Sequence, residues 1–257
     1  MGEAMLSAIL GKHLATAQSV TVSDISPQRR QYLEQEYGVA VSDNNRQAVA
    51  GRDVVVLAVK PQNLADVMAD LKGSLKPEQL ALSIIAGVRL ETLCQGLGHR
   101  SVVRAIPNTP AQIGEGMTVW TATAEVTGQQ EEWTTSILGA MGREIAVGDE
   151  DHIDMATAVS GSGPAYLFLF VEALVDAAVR IGLSRDMAHE LVLTTILGSG
   201  HLIEKSGREP AELRRMVTSP GGTTAEALRE LEQGRFSDLL SRAVAAAYNK
   251  AKQLGDS

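Results

Sequence analysis

The order of strand-like and helix-like segments constrains this chain more than any other feature. Up to about residue 148, short β-rich runs alternate with helical patterns, and the runs lie at residues 19–24, 53–59, 80–87, 101–107, 116–123 and 143–148. Strands that alternate with helices predict parallel βαβ units with right-handed crossovers. Between Glu150 and Gln253 only long amphipathic helical patterns follow. The pattern therefore predicts an α/β domain over residues 1–148 and an all-α domain over residues 149–257.

The composition narrows the class of partner. The chain has 257 residues and a formal net charge of −8, so we expect neither a nucleic-acid partner nor an anionic membrane surface. No run approaches the roughly 20 apolar residues of a membrane helix, because the richest stretch contains Glu172 and Asp176. Cys94 is the single cysteine, which fits a reducing compartment, and we expect a cytoplasmic protein with Cys94 as a packed thiol.

The amino terminus fits part of a dinucleotide-binding fingerprint. Such a fold begins with a strand, a GxGxxG loop and a helix that starts at the last glycine. Here Met1 and Gly2 lead directly into an amphipathic helix, so the first strand and the two loop glycines would lie upstream of Met1. Asp24 ends the next strand-like run, where an acidic residue accepts the ribose hydroxyls and repels the 2′-phosphate of NADP. An ordinary helix at Gly2, and a turn or capping role for Asp24, are the alternatives.

Three later runs end in segments suited to a ligand. VVVLAVKPQ places Lys60 at the carboxyl edge of the predicted sheet, where doubly wound folds bind ligands, although a solvated strand-end lysine is the alternative. In SIIAGV, the small residues Ala86 and Gly87 would permit close approach of a flat ring. The PNTP segment at 107–110 predicts a rigid turn that presents an amide and a hydroxyl group.

The helical half carries two glycine-rich motifs. SGSGPAY at 160–166 predicts a bend in an otherwise continuous helix. SPGGTT at 219–224 precedes a helix predicted to begin near Ala225, and N–H groups at a helix start suit a carboxylate. A capped interhelical loop is the alternative for this second motif. The helices at 164–181 and 236–253 are apolar over more than one stripe, which predicts burial against another subunit.

Taken in order, AVKP, S-I-x-A-G-V, R-x-x-P-N-T-P, SGSGPAY and T-S-P-G-G-T-T resemble the motifs of the pyrroline-5-carboxylate reductase family over essentially the whole chain. Ile106 stands where the family usually has methionine. The resemblance implies a Rossmann-type dinucleotide-binding domain followed by an all-α dimerisation domain. It also implies reduction of 1-pyrroline-5-carboxylate to L-proline with NADPH or NADH, the last step of proline biosynthesis. The assembly it implies is a homodimer, which in the family often forms a decamer of five dimers.

The resemblance also implies the site residues. The cofactor would contact Met1, Gly2, Asn45, Ala58, Val59, Lys60, Pro61, Ile84, Ile85 and Ala86, besides Asp24. The substrate would contact Glu150, Gly221, Gly222, Thr223 and Thr224. The main-chain N–H groups of Gly221, Gly222 and Thr223 would hold the carboxylate, and Thr224 would hydrogen-bond the ring nitrogen as a donor rather than a proton source. We expect no metal, because the histidines lack ligand spacing. Family members begin with a further strand and a GxGxxM loop, so we expect that this sequence omits upstream residues or carries a start-site error.

Two alternative functions stay open. A β-hydroxyacid dehydrogenase has the same two-domain layout, but its catalytic lysine on the first long helix of the second domain is missing, since no lysine occurs from Glu150 to Val179. A non-catalytic oligomeric protein derived from this fold would bind no NAD(P)H.

Overall fold

The computed structural model describes residues 1–255, in which strands and helices alternate as far as residue 146. The strands are Thr21–Ser23 (β1), Ala40–Ser42 (β2), Val54–Leu57 (β3), Leu80–Ser83 (β4), Val102–Pro107 (β5), Gly116–Ala122 (β6) and Gly142–Ala146 (β7). The helices of this part are Gly2–Gly11 (α1), Pro27–Tyr37 (α2), Asn45–Val49 (α3), Leu64–Leu71 (α4), Leu90–Leu97 (α5) and Gly128–Gly139 (α6). The later helices are Asp151–Ala156 (α7), Gly163–Arg180 (α8), Arg185–Ser206 (α9), Pro210–Met216 (α10), Thr223–Gln233 (α11) and Phe236–Gly255 (α12).

The strands form two sheets. β1 and β2 pair in parallel, and β3 to β7 form a five-stranded sheet in sequence order. Within residues 1–255 the two sheets are not joined by a strand ladder. The interruption falls between β1 and β3, the position that the first strand occupies in a Rossmann sheet.

The predicted parallel βαβ pairing holds except at one pair. β5 and β6 are antiparallel, while the β3–β4, β4–β5 and β6–β7 pairs are parallel. The reason is the length of the connection: only residues 108–115 separate β5 from β6. A parallel crossover needs a dozen or more residues, so this short turn returns the chain beside the strand that it left.

Both faces of the five-stranded sheet are covered. Leu80 and Leu82 of β4 pack on one side with Met5 of α1, and Ala81 packs on the other with Leu93 and Leu97 of α5. Alternate residues of a strand point to opposite faces, so a strand buried on both sides reads as a continuous apolar run. That is the physical basis on which β3, β4 and β5 could be recognised from sequence.

The chain forms two compact units. One contains residues 1–164 together with the chain from Ala247 onward, and the other contains residues 165–246. The predicted boundary after residue 148 coincides with the end of the last strand rather than with this division. The predicted bend at SGSGPAY is a π-helical turn at Thr157–Gly161, in which Ser162 N donates to Thr157 O at 2.8 Å. Such turns interrupt α-helices and are frequent at functional sites.

Candidate active site

The start of α1 lies against the loop that follows β3. A Cβ atom built on Gly2 would lie 2.9 Å from Ala58 Cβ, so only glycine allows this approach. The first bond of the helix runs from Met5 N to Met1 O at 3.0 Å, and no side chain caps the helix. The N–H groups that precede that bond have no partner within the helix, and such N–H groups at a helix start suit a pyrophosphate. The residues present fit a dinucleotide at this position.

The end of β1 carries a small polar group. Asp24 is partly buried, and its Oδ1 accepts a hydrogen bond from Ser26 N at 2.8 Å, which is a turn role, since the residue that caps α2 is Ser26. Ser23 Oγ donates to Asn45 Oδ1 at 2.8 Å and joins the end of β1 to the first residue of α3. This geometry brings the predicted cofactor residues Asp24 and Asn45 to the same sheet edge. The ribose contact of Asp24 stays a prediction.

The loop after β3 exposes its predicted cofactor residues. Ala58, Lys60 and Pro61 are exposed, Val59 is half-buried, and Pro61 opens a short 3₁₀ turn that ends at Asn63. Pro61 fixes the loop backbone by restricting its own φ angle. Exposed main chain at this edge suits contact with a flat cofactor.

The segment after β4 differs from the sequence expectation. Ile84 and Ile85 are buried, on opposite faces of the sheet, so only their main chain is available to a cofactor. Ala86 is exposed. Gly87 has φ +71°, and a Cβ atom there would lie 2.6 Å from Leu254 Cβ. The close approach at Gly87 is therefore made by the end of α12, and the approach of a flat ring to Ala86 and Gly87 stays a prediction.

In the PNTP turn, the side-chain amide of Asn108 makes two hydrogen bonds within the protein. Asn108 Nδ2 donates to Ser160 O at 3.1 Å, and Asn108 Oδ1 accepts from Met117 N at 2.9 Å. The expectation that this amide is presented to a ligand is wrong, because both of its polar atoms join β6 to the π-helical turn. Asn108 is a structural residue that fixes the position of that turn.

Glu150 belongs to a buried ion cluster that the sequence does not reveal. Its Oε1 accepts from Arg104 Nη1 and from Leu90 N, each at 2.8 Å. Arg104 lies in β5, and its Nη2 donates to Asp154 Oδ1 at 2.7 Å; Arg104 and Asp154 are each 1% exposed. Arg89 Nη2 lies 3.6 Å from Asp154 Oδ2. Oε1 of Glu150 therefore fixes the start of α5. The Glu150 side chain is 20% exposed.

The SPGGTT loop lies in the second compact unit, whereas Glu150 lies in the first. Gly221 has φ +69°, a conformation that favours glycine, and Gly222 N donates to Ser219 O at 3.0 Å. The N–H group of Gly222 is thus already used within the turn, which corrects its predicted role as a carboxylate donor.

The helix after this loop begins earlier than expected. α11 starts at Thr223, two residues before Ala225, and its first bond runs from Glu226 N to Gly222 O at 3.2 Å. The N–H groups of Thr223 and Thr224 precede that bond, and no side chain caps them. Thr223 is exposed and Thr224 is half-buried. These two residues begin α11 without a side-chain cap, an arrangement that suits an anion, and Thr224 lies in the first turn.

Other reactive side chains do not form a site. Cys94 packs against the cluster around Leu93, and burial raises the pKa of its thiol. In residues 1–255 no group of three or more His, Cys, Asp and Glu side chains is placed to hold a metal ion.

Two protein families match the chain. Residues 150–254 match the family described as pyrroline-5-carboxylate reductase dimerisation. Residues 1–87 match the family described as NADP oxidoreductase, coenzyme F420-dependent. The two matches divide the chain close to the predicted change from strands and helices to helices alone.

Relatives match over almost the whole chain. Pyrroline-5-carboxylate reductase of Pseudomonas aeruginosa is 41% identical over 257 residues, which are 100% of this chain and 94% of the relative. The enzyme of Escherichia coli is 35% identical over 258 residues, covering 100% of this chain and 96% of the relative.

Solved structures agree. A pyrroline-5-carboxylate reductase from Coxiella burnetii superposes with a TM-score of 0.90 at 36% identity, covering 99% of this chain and 94% of that one. The Plasmodium falciparum pyrroline carboxylate reductase with NADP bound gives a TM-score of 0.90 at 31% identity and the same coverages. Prephenate dehydrogenase from A. aeolicus, at 13% identity and a TM-score of 0.52 over 91% of this chain and 93% of that one, shares only the fold.

Proposed function

The chain belongs to the pyrroline-5-carboxylate reductase family, and on that premise we propose that it reduces 1-pyrroline-5-carboxylate to L-proline with NADH or NADPH. It is an oxidoreductase with a Rossmann-like domain followed by a helical dimerisation domain. The observation that carries the proposal is the match to pyrroline-5-carboxylate reductases over the whole chain. Among the helix starts that no side chain caps are α1, beside Ala58, and α11, at Thr223. The first suits a cofactor pyrophosphate and the second suits a substrate carboxylate.

The cofactor, when bound, supplies the hydride for the imine carbon. The chain's own residues bind the cofactor and the substrate and orient them for the transfer. The N–H groups at the start of α1 would hold the pyrophosphate, and Asp24 would accept the ribose hydroxyls. The exposed loop from Ala58 to Pro61 and the main chain of Ile84 to Ala86 would border the nicotinamide side.

The substrate would be held by the start of α11. The N–H groups of Thr223 and Thr224 would bind the carboxylate at the positive end of the helix dipole, with Gly221 shaping the turn. The Thr224 hydroxyl would hydrogen-bond the ring nitrogen. Glu150, whose Oε1 accepts hydrogen bonds from Arg104 and Leu90 N, would also contact substrate, as the family resemblance implies. Orientation is the main contribution of such groups to the rate.

We propose that the active form is a homodimer. In the second unit only Val175, Ala188 and Val192 form a buried cluster. Large apolar side chains are exposed along α8, α9 and α12, among them Leu167, Phe168, Leu169, Phe170, Met187, Leu191, Leu193, Leu197, Phe236 and Leu239. Exposed apolar surface of this extent marks an interface. The match to a dimerisation family over residues 150–254 supports a second copy of this chain as the partner.

Further assembly and location follow the family resemblance. We propose a decamer of five dimers, a cytoplasmic location, and no membrane or nucleic-acid partner. Residues 151–180 are, by length and composition alone, apolar enough to cross a membrane. That stretch lies within the dimerisation match and contains Glu172 and Asp176, so a partner subunit accounts for its exposed apolar face better than lipid does.

Substitution of Thr224 tests the substrate assignment. Thr224→Ala should lower turnover of 1-pyrroline-5-carboxylate by roughly ten- to a hundredfold, because one hydrogen bond to a polar substrate is lost. Affinity for NAD(P)H should stay nearly unchanged, since the cofactor residues lie in the other unit. Thr224→Ser should retain much of the activity, and Thr135→Ala, an exposed helical threonine, is the matched control. If Thr224→Ala keeps full turnover, or does not fold, Thr224 has only a structural role in α11 and does not bind the substrate.

A further inference from the structure

The arginines that could hold a cofactor 2′-phosphate are bonded elsewhere. An NADP-binding fold places an arginine near the end of the second Rossmann strand, which is β1 here. Arg30 lies in the first turns of α2, and its Nη1 donates to Asp24 O at 2.6 Å. Arg46 lies in α3, and its Nε donates to Asp70 O at 2.7 Å. Arg30 thus lies at the edge, but its Nη1 is bonded to the main chain of Asp24 and its Nη2 lies 3.7 Å from Asp43 Oδ2, whereas Arg46 is bonded away from the edge.

The third such arginine, Arg29, is held by Glu3. Glu3 lies in the first turn of α1, and its Oε2 pairs with Arg29 Nη2. Its Oε1 accepts hydrogen bonds from the hydroxyls of Tyr32 at 3.1 Å and Tyr37 at 3.0 Å. The Arg29 guanidinium also lies 5.1 Å from the ring centroid of Tyr32. The Arg29 hydrogen bond lowers the pKa of Glu3, so the pair is ionic at neutral pH.

The charge at this edge does not favour a phosphate. Three carboxylates accompany Arg29 and Arg30: Glu3 pairs with Arg29, Asp43 lies 3.7 Å from Arg30, and Asp24 lies just after β1. These five side chains sum to one net negative charge. A phosphate monoester brings about −1.5 to −2 further charge at pH 7. Unless Arg29 or Arg30 leaves its carboxylate partner to pair with the phosphate, the net negative charge of these side chains repels the phosphate.

We propose that Glu3 determines cofactor specificity: by pairing with Arg29 it withholds the cation that a 2′-phosphate needs, and the site therefore takes NADH in preference to NADPH. This inference rests on the proposed use of NAD(P)H with Asp24 at the ribose. Loss of the Glu3 charge frees Arg29, which is anchored in the first turn of α2 after Asp24, to bind the phosphate. Arginine suits that task because its planar fork matches phosphate oxygens.

The test measures nucleotide binding to the full-length protein by calorimetry, with 5′-AMP and 2′,5′-ADP as probes. Wild type should bind 2′,5′-ADP no more tightly than 5′-AMP. Glu3→Gln should tighten 2′,5′-ADP relative to 5′-AMP by about tenfold, the low end for a charge-assisted hydrogen bond. Glu36→Gln removes one negative charge from an exposed position on α2 and should change the ratio little.

The double variant Glu3→Gln/Arg29→Gln should lose the gain, because Arg29 is then no longer available. Arg29→Gln alone should leave the wild-type ratio unchanged and tests the idea even where Glu3→Gln folds poorly. The inference is overturned if Glu3→Gln changes both probes equally, or if Arg29→Gln alone weakens 2′,5′-ADP. A protein with the expected binding pattern that produces no proline would instead overturn the proposed function and support this inference.

Discussion

Replacement of Arg104 by methionine should cost about 3 kcal/mol of unfolding free energy. Arg104 and Asp154 are each 1% exposed and meet at 2.7 Å, so the variant leaves the Asp154 carboxylate buried without its main partner. Removal of one partner of a buried pair costs about 3–5 kcal/mol. We expect the low end, because Arg89 still lies 3.6 Å from Asp154 and Glu150 is partly solvated.

The assay is equilibrium urea denaturation at pH 7, at one fixed protein concentration because subunit association contributes to stability. Arg100→Met is the matched control: Arg100 is 85% exposed and lies 4.0 Å from Glu125, so its loss should cost at most about 0.5 kcal/mol. Arg104→Met/Asp154→Leu should recover part of the loss, since an apolar pair can replace a buried ion pair. A stability for Arg104→Met within about 0.5 kcal/mol of wild type would refute the reasoning.

Three further expectations concern the cofactor, the assembly and the thiol. The catalytic efficiency with NADH should at least equal that with NADPH, because Asp24 lies at the ribose edge; a hundredfold preference for NADPH would show that it does not act there. Light scattering at micromolar concentration should show no monomer in wild type, and Phe168→Asp should produce one, because Phe168 is 59% exposed on α8; a wild-type monomer would contradict the dimer. Alkylation of Cys94 should be slower at pH 8 than that of a free cysteine, since its raised pKa leaves less thiolate; an equal rate in the folded protein would contradict its burial.

Six of the seven strands were predictable because each contains a run of apolar or β-branched residues. β2 was not, since Ala40–Ser42 contains one β-branched residue, whereas the equally short β1 contains Thr21 and Val22. The antiparallel direction of β6 was within reach, because the eight-residue connection from 108 to 115 is too short for a crossover. The prediction of parallel strands used only the alternation of strands and helices and did not take the length of this connection into account.

The site was predictable at its glycines and not at its ion cluster. Gly2 and Gly221 are identified by motif, and the structure gives each a steric or conformational reason. Arg104 and Glu150 are 46 residues apart, so no local pattern signals their contact. One clue was present in the sequence, since a lone arginine inside the apolar strand SVVRAIP needs a buried acidic partner. The hydrogen bond of Gly222 depends on main-chain geometry that residue types do not specify.

The central claim is that this chain transfers hydride to a cyclic imine, and isotopic labelling tests it most directly. The full-length protein is incubated with 1-pyrroline-5-carboxylate and NADH or NADPH that carries deuterium on the transferred position, and the product is analysed by mass spectrometry and NMR. The account predicts L-proline with one deuterium at the former imine carbon. Absence of labelled proline with either cofactor, in folded protein that binds the nucleotide, would contradict it and favour a non-catalytic member of this fold.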